Sequence, residues 1–235
     1  MTKKIPISQL GSLLTCEYRI YLKYVIKAKE KITRAITKGK EAHKKLEKKH
    51  KKVVKTYNKK VKTVMSSSKP LEQKLKEVKE IEKPEELKSR REFTVSNDRL
   101  IGRIDEIQFN EDSIVVIDDK KHTSVFKSDM VQVFAYIMTY RDAFPDEIKN
   151  KYPAGVKFIG KVRSYTTNQI IWEQEYTEES RKMVEDAIDR YNKVLNREVE
   201  PTSTAVPAVC RSCSMNSLCD RRLKTISVDE FLGNK

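Results

Sequence analysis

At about residue 91 the chain changes period. Arg91-Glu-Phe-Thr-Val95, residues 100–109 and residues 113–121 read as three strands, separated by turns at Ser96-Asn97-Asp98 and Asn110-Glu111-Asp112. Upstream, Leu10, Leu13, Leu14, Tyr18, Tyr21, Leu22 and Val25 recur at helical spacing and predict one helix over 7–25. A second helix is expected from Thr33 into the fifties, with Ile36, Ala42, Leu46 and Val53 as its sparse inner side. Ser66-Ser67-Ser68-Lys69-Pro70 breaks it, and a very polar helix over 72–81 ends at Pro84. Downstream come a helix over 125–140, a hairpin of 155–164 and 169–175 across Thr166-Thr167-Asn168, and a helix over 178–196. Pro201 and Pro207 then bracket a linker to Cys210. This order predicts an α/β sandwich with a mixed sheet rather than a helical bundle. A length of 235 residues suits one compact body with appendages.

Charge narrows the class of partner. The formal net charge is +15, and residues 27–62 carry 16 basic against 3 acidic side chains, nearly the whole surplus. Two readings stay open: a solvated, lysine-rich helix, or a surface that tracks phosphates by releasing their counterions. For the lysine-rich run 44–62 a mobile flap and a rigid arm are equally compatible with the sequence. No apolar run approaches the roughly 20 residues of a bilayer-spanning helix, and the basic N-terminus lacks the apolar stretch of a secretory signal. The expectation is a cytoplasmic protein with an anionic partner and no membrane association.

The strand pair carries the candidate chemistry. Gly102-Arg-Ile-Asp105 on one strand is followed by Val115-Val116-Ile117-Asp118-Asp119-Lys120-Lys121 on the next. Residues two apart on a strand share a face, so Asp118 pairs with Lys120 and Asp119 with Lys121. An aspartate from each strand suits a hard cation such as Mg2+ or Mn2+. A neighbouring lysine would orient the attacking water and offset charge growing on a phosphate oxygen. Both registers remain open, with Asp118/Lys120 favoured because the apolar run leads straight into Asp118. The bland reading of the same residues is an ion pair at polar strand ends.

The cysteines form a second cluster. Cys16 stands alone, and Cys210-Arg-Ser-Cys213-Ser-Met-Asn-Ser-Leu-Cys219 supplies C-x2-C-x5-C at the far end. In a cytosolic protein such grouping points to metal rather than disulfides. Four thiolates suit a [4Fe–4S] cluster or a tetrahedral zinc, and spacing alone does not choose.

Gly102-Arg-Ile-Asp105 with Ile117-Asp118-Asp119-Lys120 resembles the PD-(D/E)xK nuclease signature in the form used by RecB-type exonucleases. Gly39-Lys-Glu-Ala-His43 is similar to the upstream helix whose histidine ligates metal, and Gln132-Val-Phe-Ala-Tyr136 to the Q-x-x-x-Y helix. Glu92 falls where the family often carries a supporting glutamate. Cys16-Glu-Tyr-Arg resembles the cysteine-led segment of iron–sulfur RecB-like nucleases, among them the CRISPR-associated exonucleases, with Glu17 in place of a proline often found there.

The resemblance implies a restriction-endonuclease-like core with a mixed central sheet flanked by helices. N-terminal helices and a C-terminal tail would join at a four-cysteine cluster. It divides the chain into a helical, lysine-rich region 1–90, a nuclease core 91–200 and a Cys-rich segment 201–235 within one compact unit. It implies Mg2+ or Mn2+ on His43, Asp105, Asp118 and the backbone carbonyl of Asp119, with Lys120 positioning water and Gln132 and Tyr136 steadying substrate and lysine. Cys16, Cys210, Cys213 and Cys219 would hold the [4Fe–4S] cluster, with zinc as the weaker alternative. The implied activity is a DNA exonuclease acting on single strands or ends, with endonuclease activity and polarity open. CRISPR spacer acquisition, recombination and repair are the implied settings, with their proteins as partners. Tyr18 and Tyr21 are candidate stacking surfaces, or core beside the cluster. The competing expectation is a non-catalytic DNA-binding module that keeps the fold.

Overall fold

The computed structural model describes residues 3–203 and 206–223. Its elements are β1 (Ile5–Pro6), α1 (Ile7–Thr15), α2 (Glu17–Tyr24), α3 (Arg34–Met65), α4 (Leu71–Glu80), β2 (Ser89–Ser96), β3 (Leu100–Phe109) and β4 (Ser113–Lys120). There follow α5 (Lys127–Ala143), α6 (Pro145–Lys151), β5 (Lys157–Ser164), β6 (Gln169–Glu175), α7 (Glu178–Leu195) and α8 (Pro207–Ser212). The α/β reading and the mixed, helix-flanked sheet expected of a restriction-endonuclease-like core are what the chain adopts. The last part of the Cys-rich segment, residues 224–235, lies outside the described residues. Among those described, no helix is long and apolar enough to cross a membrane.

The six strands form one sheet in which β3 is shared. β2 runs antiparallel along one edge of β3, while the other edge takes β1 in parallel at Leu100 and Ile101 and β4 antiparallel from Glu106 to Phe109. β4 then pairs in parallel with β5, and β5 antiparallel with β6. Ile114, Val115, Val116 and Ile117 are all buried, because β4 is covered on both faces. One cover is α5, whose residues are buried on every side from Val131 to Tyr140 apart from Gln132, as befits a helix held between the sheet and the helices α1 and α7.

β3 and β4 form a fork. Their ladder runs from Phe109↔Ile114 to Glu106↔Ile117 and stops, although both strands continue past Asp105 and Asp118. The edge of β3 from Gly102 to Asp105 therefore lies between β1 and β4 without a ladder partner.

One expectation needs correction. The helix over 7–25 is two helices, broken at Cys16, whose φ of −167° and ψ of 105° are extended. Periodicity ran through the break because α1 and α2 both bury one side. The turn has its own anchor: Glu17 accepts from Arg190 Nε and Nη2, both at 2.7 Å, and from the Thr202 N–H at 2.8 Å. Of the flap and the arm left open for the lysine-rich run, the structure has the arm: α3 continues for 32 residues to Met65, about 48 Å at 1.5 Å per residue, with each of its lysines exposed. β1 and α6 were not read at all, although α6 opens with Pro145 followed by Asp146 and Glu147, a helix-start signal.

Gly102 is a packing requirement. A Cβ there would lie 2.7 Å from Tyr136 Cε1 and 3.0 Å from Ile7 Cδ1, so α5 and α1 approach β3 only because position 102 has no side chain. Gly39, inside α3, has nothing within 4 Å of such a Cβ. Gly102→Ala is expected to cost about 1–3 kcal/mol by overpacking, whereas Gly39→Ala is expected to stabilise by about 0.4–1 kcal/mol. Urea denaturation of the two variants beside the parent checks both signs.

Candidate active site

The fork is bridged by one carboxylate. Asp105 Oδ2 accepts from the Asp119 N–H at 2.8 Å, replacing the ladder bond that the diverging strands no longer make. Its other oxygen, Oδ1, lies 3.0 Å from His43 Nδ1, delivered by the third turn of α3. Glu92 comes from β2. The β2–β3 ladder lapses at Glu92 and Asp105 and resumes in the same register, so the two residues stand opposite each other. Glu92 has a φ of +54°, a left-handed conformation that costs a non-glycine residue of order 1–3 kcal/mol and turns its carboxylate toward His43 and Asp105.

Ligand atoms of His43, Glu92 and Asp105 all lie within 4.8 Å of one another. Glu92 Oε1 is enclosed and accepts no hydrogen bond, while Oε2 pairs with Arg103 Nε at 2.7 Å. Asp118 is 2 % exposed, and its Oδ2 also accepts no hydrogen bond, although Lys120 Nζ lies 2.7 Å away as its ion-pair partner. The unpartnered Glu92 oxygen, the Asp105 carboxylate and the His43 imidazole are a donor set that fits a hard divalent cation, while Asp118 stands behind them in its ion pair with Lys120. His43 gains proton affinity chiefly from its hydrogen bond to Asp105, against the opposing effect of burial. Burial pushes the Asp118 carboxyl up, Lys120 opposes this, and the Asp105 charge adds to it.

Lys120 faces this group with its charge kept. Burial acts to lower its pKa, but Asp118, Asp129 and Asp105 outweigh that and raise it. Gln132 links lysine and carboxylate: its Oε1 accepts from Lys120 Nζ at 3.1 Å and its Nε2 donates to Asp118 Oδ1 at 3.1 Å and to the Tyr136 hydroxyl at 3.3 Å. The Q-x-x-x-Y spacing puts both side chains one turn apart on the α5 face toward the fork. The residues Lys120, Asp105, Asp118, Gln132, Tyr136, His43 and Glu92 thus converge. Glu92 stands within the candidate metal group rather than behind it. An open cleft of roughly 600 Å³, walled by Lys40, Lys44, Arg103 and Ser8, leads to the triad.

The second register faces the other way. The Asp119 carboxylate pairs with Arg163 Nε at 2.7 Å and with Arg91, and Glu106 pairs with the same two arginines. Sequence reading missed this buried quartet, because its members come from four strands.

With this geometry in view, comparison with known proteins is informative. The sequence profile of the PD-(D/E)XK nuclease superfamily matches residues 5–220. The chain belongs to the PD-(D/E)XK nuclease superfamily. No curated protein matches its sequence. Among solved structures it is similar to a protein from Eubacterium rectale that carries the provisional name of exonuclease, at 14 % identity and a TM-score of 0.50, over 97 % of this chain and 92 % of the other. It is also similar to SSO0001, at 14 % identity and a TM-score of 0.44, over 95 % and 89 % of the two chains. At 14 % identity the first likeness bears on the fold alone.

Away from the fork residues, Cys16, Cys210, Cys213 and Cys219 line one cavity of about 250 Å³ with Leu22 and Met215. No three of their sulfurs lie within 4.8 Å of one another. Tyr18, buried beside them, donates to Asp220 Oδ1 at 2.7 Å and stacks on Tyr21, so Tyr18 packs beside the cysteines rather than offering a free ring.

The quartet predicts acid behaviour. Arg163 and Arg91 hold the Asp119 and Glu106 carboxyls below their ordinary values, against the opposing and larger single effect of burial. Their stabilisation is therefore complete above the ordinary carboxylate range, about pH 4, and is lost as pH falls through the lowered values. Arg163→Met should cost about 3–5 kcal/mol at neutral pH and move the acid-unfolding midpoint upward. Circular dichroism across an acid titration checks this.

Proposed function

We propose that the protein is a divalent-metal-dependent deoxyribonuclease that trims DNA from single-stranded ends. The convergence of His43, Glu92 and Asp105 beside Asp118 and Lys120 carries this reading. Mg2+ or Mn2+ would be held by His43, Asp105, Asp118 and the Asp119 carbonyl, with Glu92 in the same set. The bound cation supplies positive charge toward phosphate oxygens and acidifies water. Lys120, ion-paired and therefore cationic, donates hydrogen bonds and orients the attacking water; as an ammonium it does not accept that water's proton. Gln132 fixes the lysine against Asp118, and Tyr136 fixes Gln132. As water's oxygen bonds to phosphorus, the bond to the leaving sugar oxygen breaks; the water's proton passes to bulk solvent, and the leaving oxygen takes a proton from solvent. The exposed lysines of α3 supply a sequence-independent attraction for the strand.

The four cysteines are proposed to hold a [4Fe–4S] cluster. Four thiols lining one cavity are a soft donor set that suits such a cluster, with a tetrahedral zinc as the weaker alternative. The role is a clasp between Cys16 in region 1–90 and the segment 201–235, across the core 91–200; hydrolysis needs no electron transfer. A cytoplasmic setting in CRISPR spacer acquisition or in recombination and repair rests on the sequence resemblance.

Digestion of end-labelled single- and double-stranded DNA with Mn2+, Mg2+ or EDTA tests the activity. Metal-dependent shortening is expected, with a loss of at least about 10²-fold in Lys120→Ala. DNA binding without cleavage under any divalent metal would instead favour the non-catalytic module. For the clasp, anaerobically purified protein should carry about four irons per chain, and Cys213→Ala should lose both iron and thermal stability. Zinc in place of iron would overturn that part alone.

A further inference from the structure

We infer that Phe126 and His122 form a nucleobase-stacking subsite beside Lys120, which selects unpaired nucleotides next to the bond being cut. The inference deepens the nuclease reading and rests on it. Among the described residues Phe126 is the only exposed aromatic side chain, at 54 %. It is nonetheless held firmly. Its backbone N–H donates to Asp129 Oδ2 at 2.9 Å, and its carbonyl accepts from the Asp129 N–H at 2.9 Å and the Met130 N–H at 3.2 Å. The His122 ring stands edge-on to it, with centroids 5.0 Å apart and planes at 79°. His122 Nε2 is bound in turn to Asp129 Oδ2 at 2.9 Å.

The buried carboxylate of Asp129 therefore builds the platform, and its other oxygen points to the catalytic group: Asp129 Oδ1 lies 3.9 Å from Lys120 Nζ. A single carboxylate separates the ring pair from the lysine that faces the scissile phosphate. A base seated there belongs to a nucleotide adjoining that phosphate. Lys121 and Lys127, both exposed, flank the platform and suit the backbone phosphates of such a strand.

Two features of the chain are costs that its own folding does not recover. Phe126 occupies the N-cap of α5, where Ser, Thr, Asp or Asn would satisfy a free N–H and stabilise the helix. The residue also stays 54 % exposed. A flat, exposed ring on a fixed backbone beside a phosphodiester site suits stacking, which tolerates any base because each has a π face. In a duplex both faces of each base are already stacked, so the platform favours frayed ends and single strands.

The test measures binding in EDTA, where no cleavage occurs, of short single-stranded oligodeoxynucleotides in which one abasic residue is walked along the strand. The parent should lose roughly tenfold in affinity when the abasic residue meets the platform. Phe126→Ala and Phe126→Leu should lose a similar factor on the intact strand and be indifferent to the abasic position. Phe126→Trp should restore the affinity, with its added indole fluorescence quenched on binding. The leucine variant keeps apolar bulk without a flat face, so affinity equal to the parent's in Phe126→Leu overturns the stacking assignment. So does indifference of the parent to the abasic position. Stacking that persists in a protein without metal-dependent cleavage would overturn the nuclease reading alone.

Discussion

The arrangement depends on the Asp105 carboxylate. Where β3 and β4 part, backbone groups that a sheet would pair are left open, and an unpaired buried N–H costs about as much as a lost hydrogen bond. Asp105 Oδ2 satisfies the Asp119 N–H, and Oδ1 reaches the α3 imidazole, so one side chain both permits the strands to diverge and ties the long basic helix to the sheet. The divergence leaves room between the strands for a reacting group. It also leaves a carboxylate oxygen of Glu92 enclosed without a hydrogen bond beside Asp105 and His43, a deficit that a divalent cation would offset, while Lys120 answers the charge of Asp118.

β4 carries two acids and a lysine in succession at the centre of the fold, and the pleat keeps them apart. Asp118 and Lys120 face the fork and α5, whereas Asp119 turns to Arg91 and Arg163. Four strand residues, Arg91, Glu106, Asp119 and Arg163, neutralise one another on that second face. Their net contribution to stability is small once desolvation is counted, but removing one member leaves a buried charge unpaired. The quartet suits the register of β4 in which Asp118 and Lys120 face Gln132 of α5.

Much of this was legible in the chain because it is local. Period two set the strands, with β3 and β6 bounded as expected, and the apolar run Val115-Val116-Ile117 leading into Asp118 favoured the Asp118/Lys120 register. The i, i+2 rule grouped Asp118 with Lys120, and the helical turn grouped Gln132 with Tyr136. What stayed hidden depends on distant partners. The break at Cys16 is stabilised by Glu17 binding Arg190 and Thr202, far along the chain, while apolar periodicity continues across it. Two-residue β1 exists only through its pairing with Leu100 and Ile101. Glu92 read as a supporting strand residue because nothing local announces a φ of +54°. The links from Asp129 to His122, Phe126 and Lys120 join a helix start to a loop and a strand end, contacts that no single period encodes.

Whether the fork is a cation site decides its chemistry. Calorimetric titration of Mn2+ into the parent, Asp105→Asn and His43→Ala, each shown to be folded by circular dichroism, measures that directly. Saturable binding to the parent, weakened by roughly tenfold or more in both variants, is the predicted result. Binding unchanged by either substitution would contradict it.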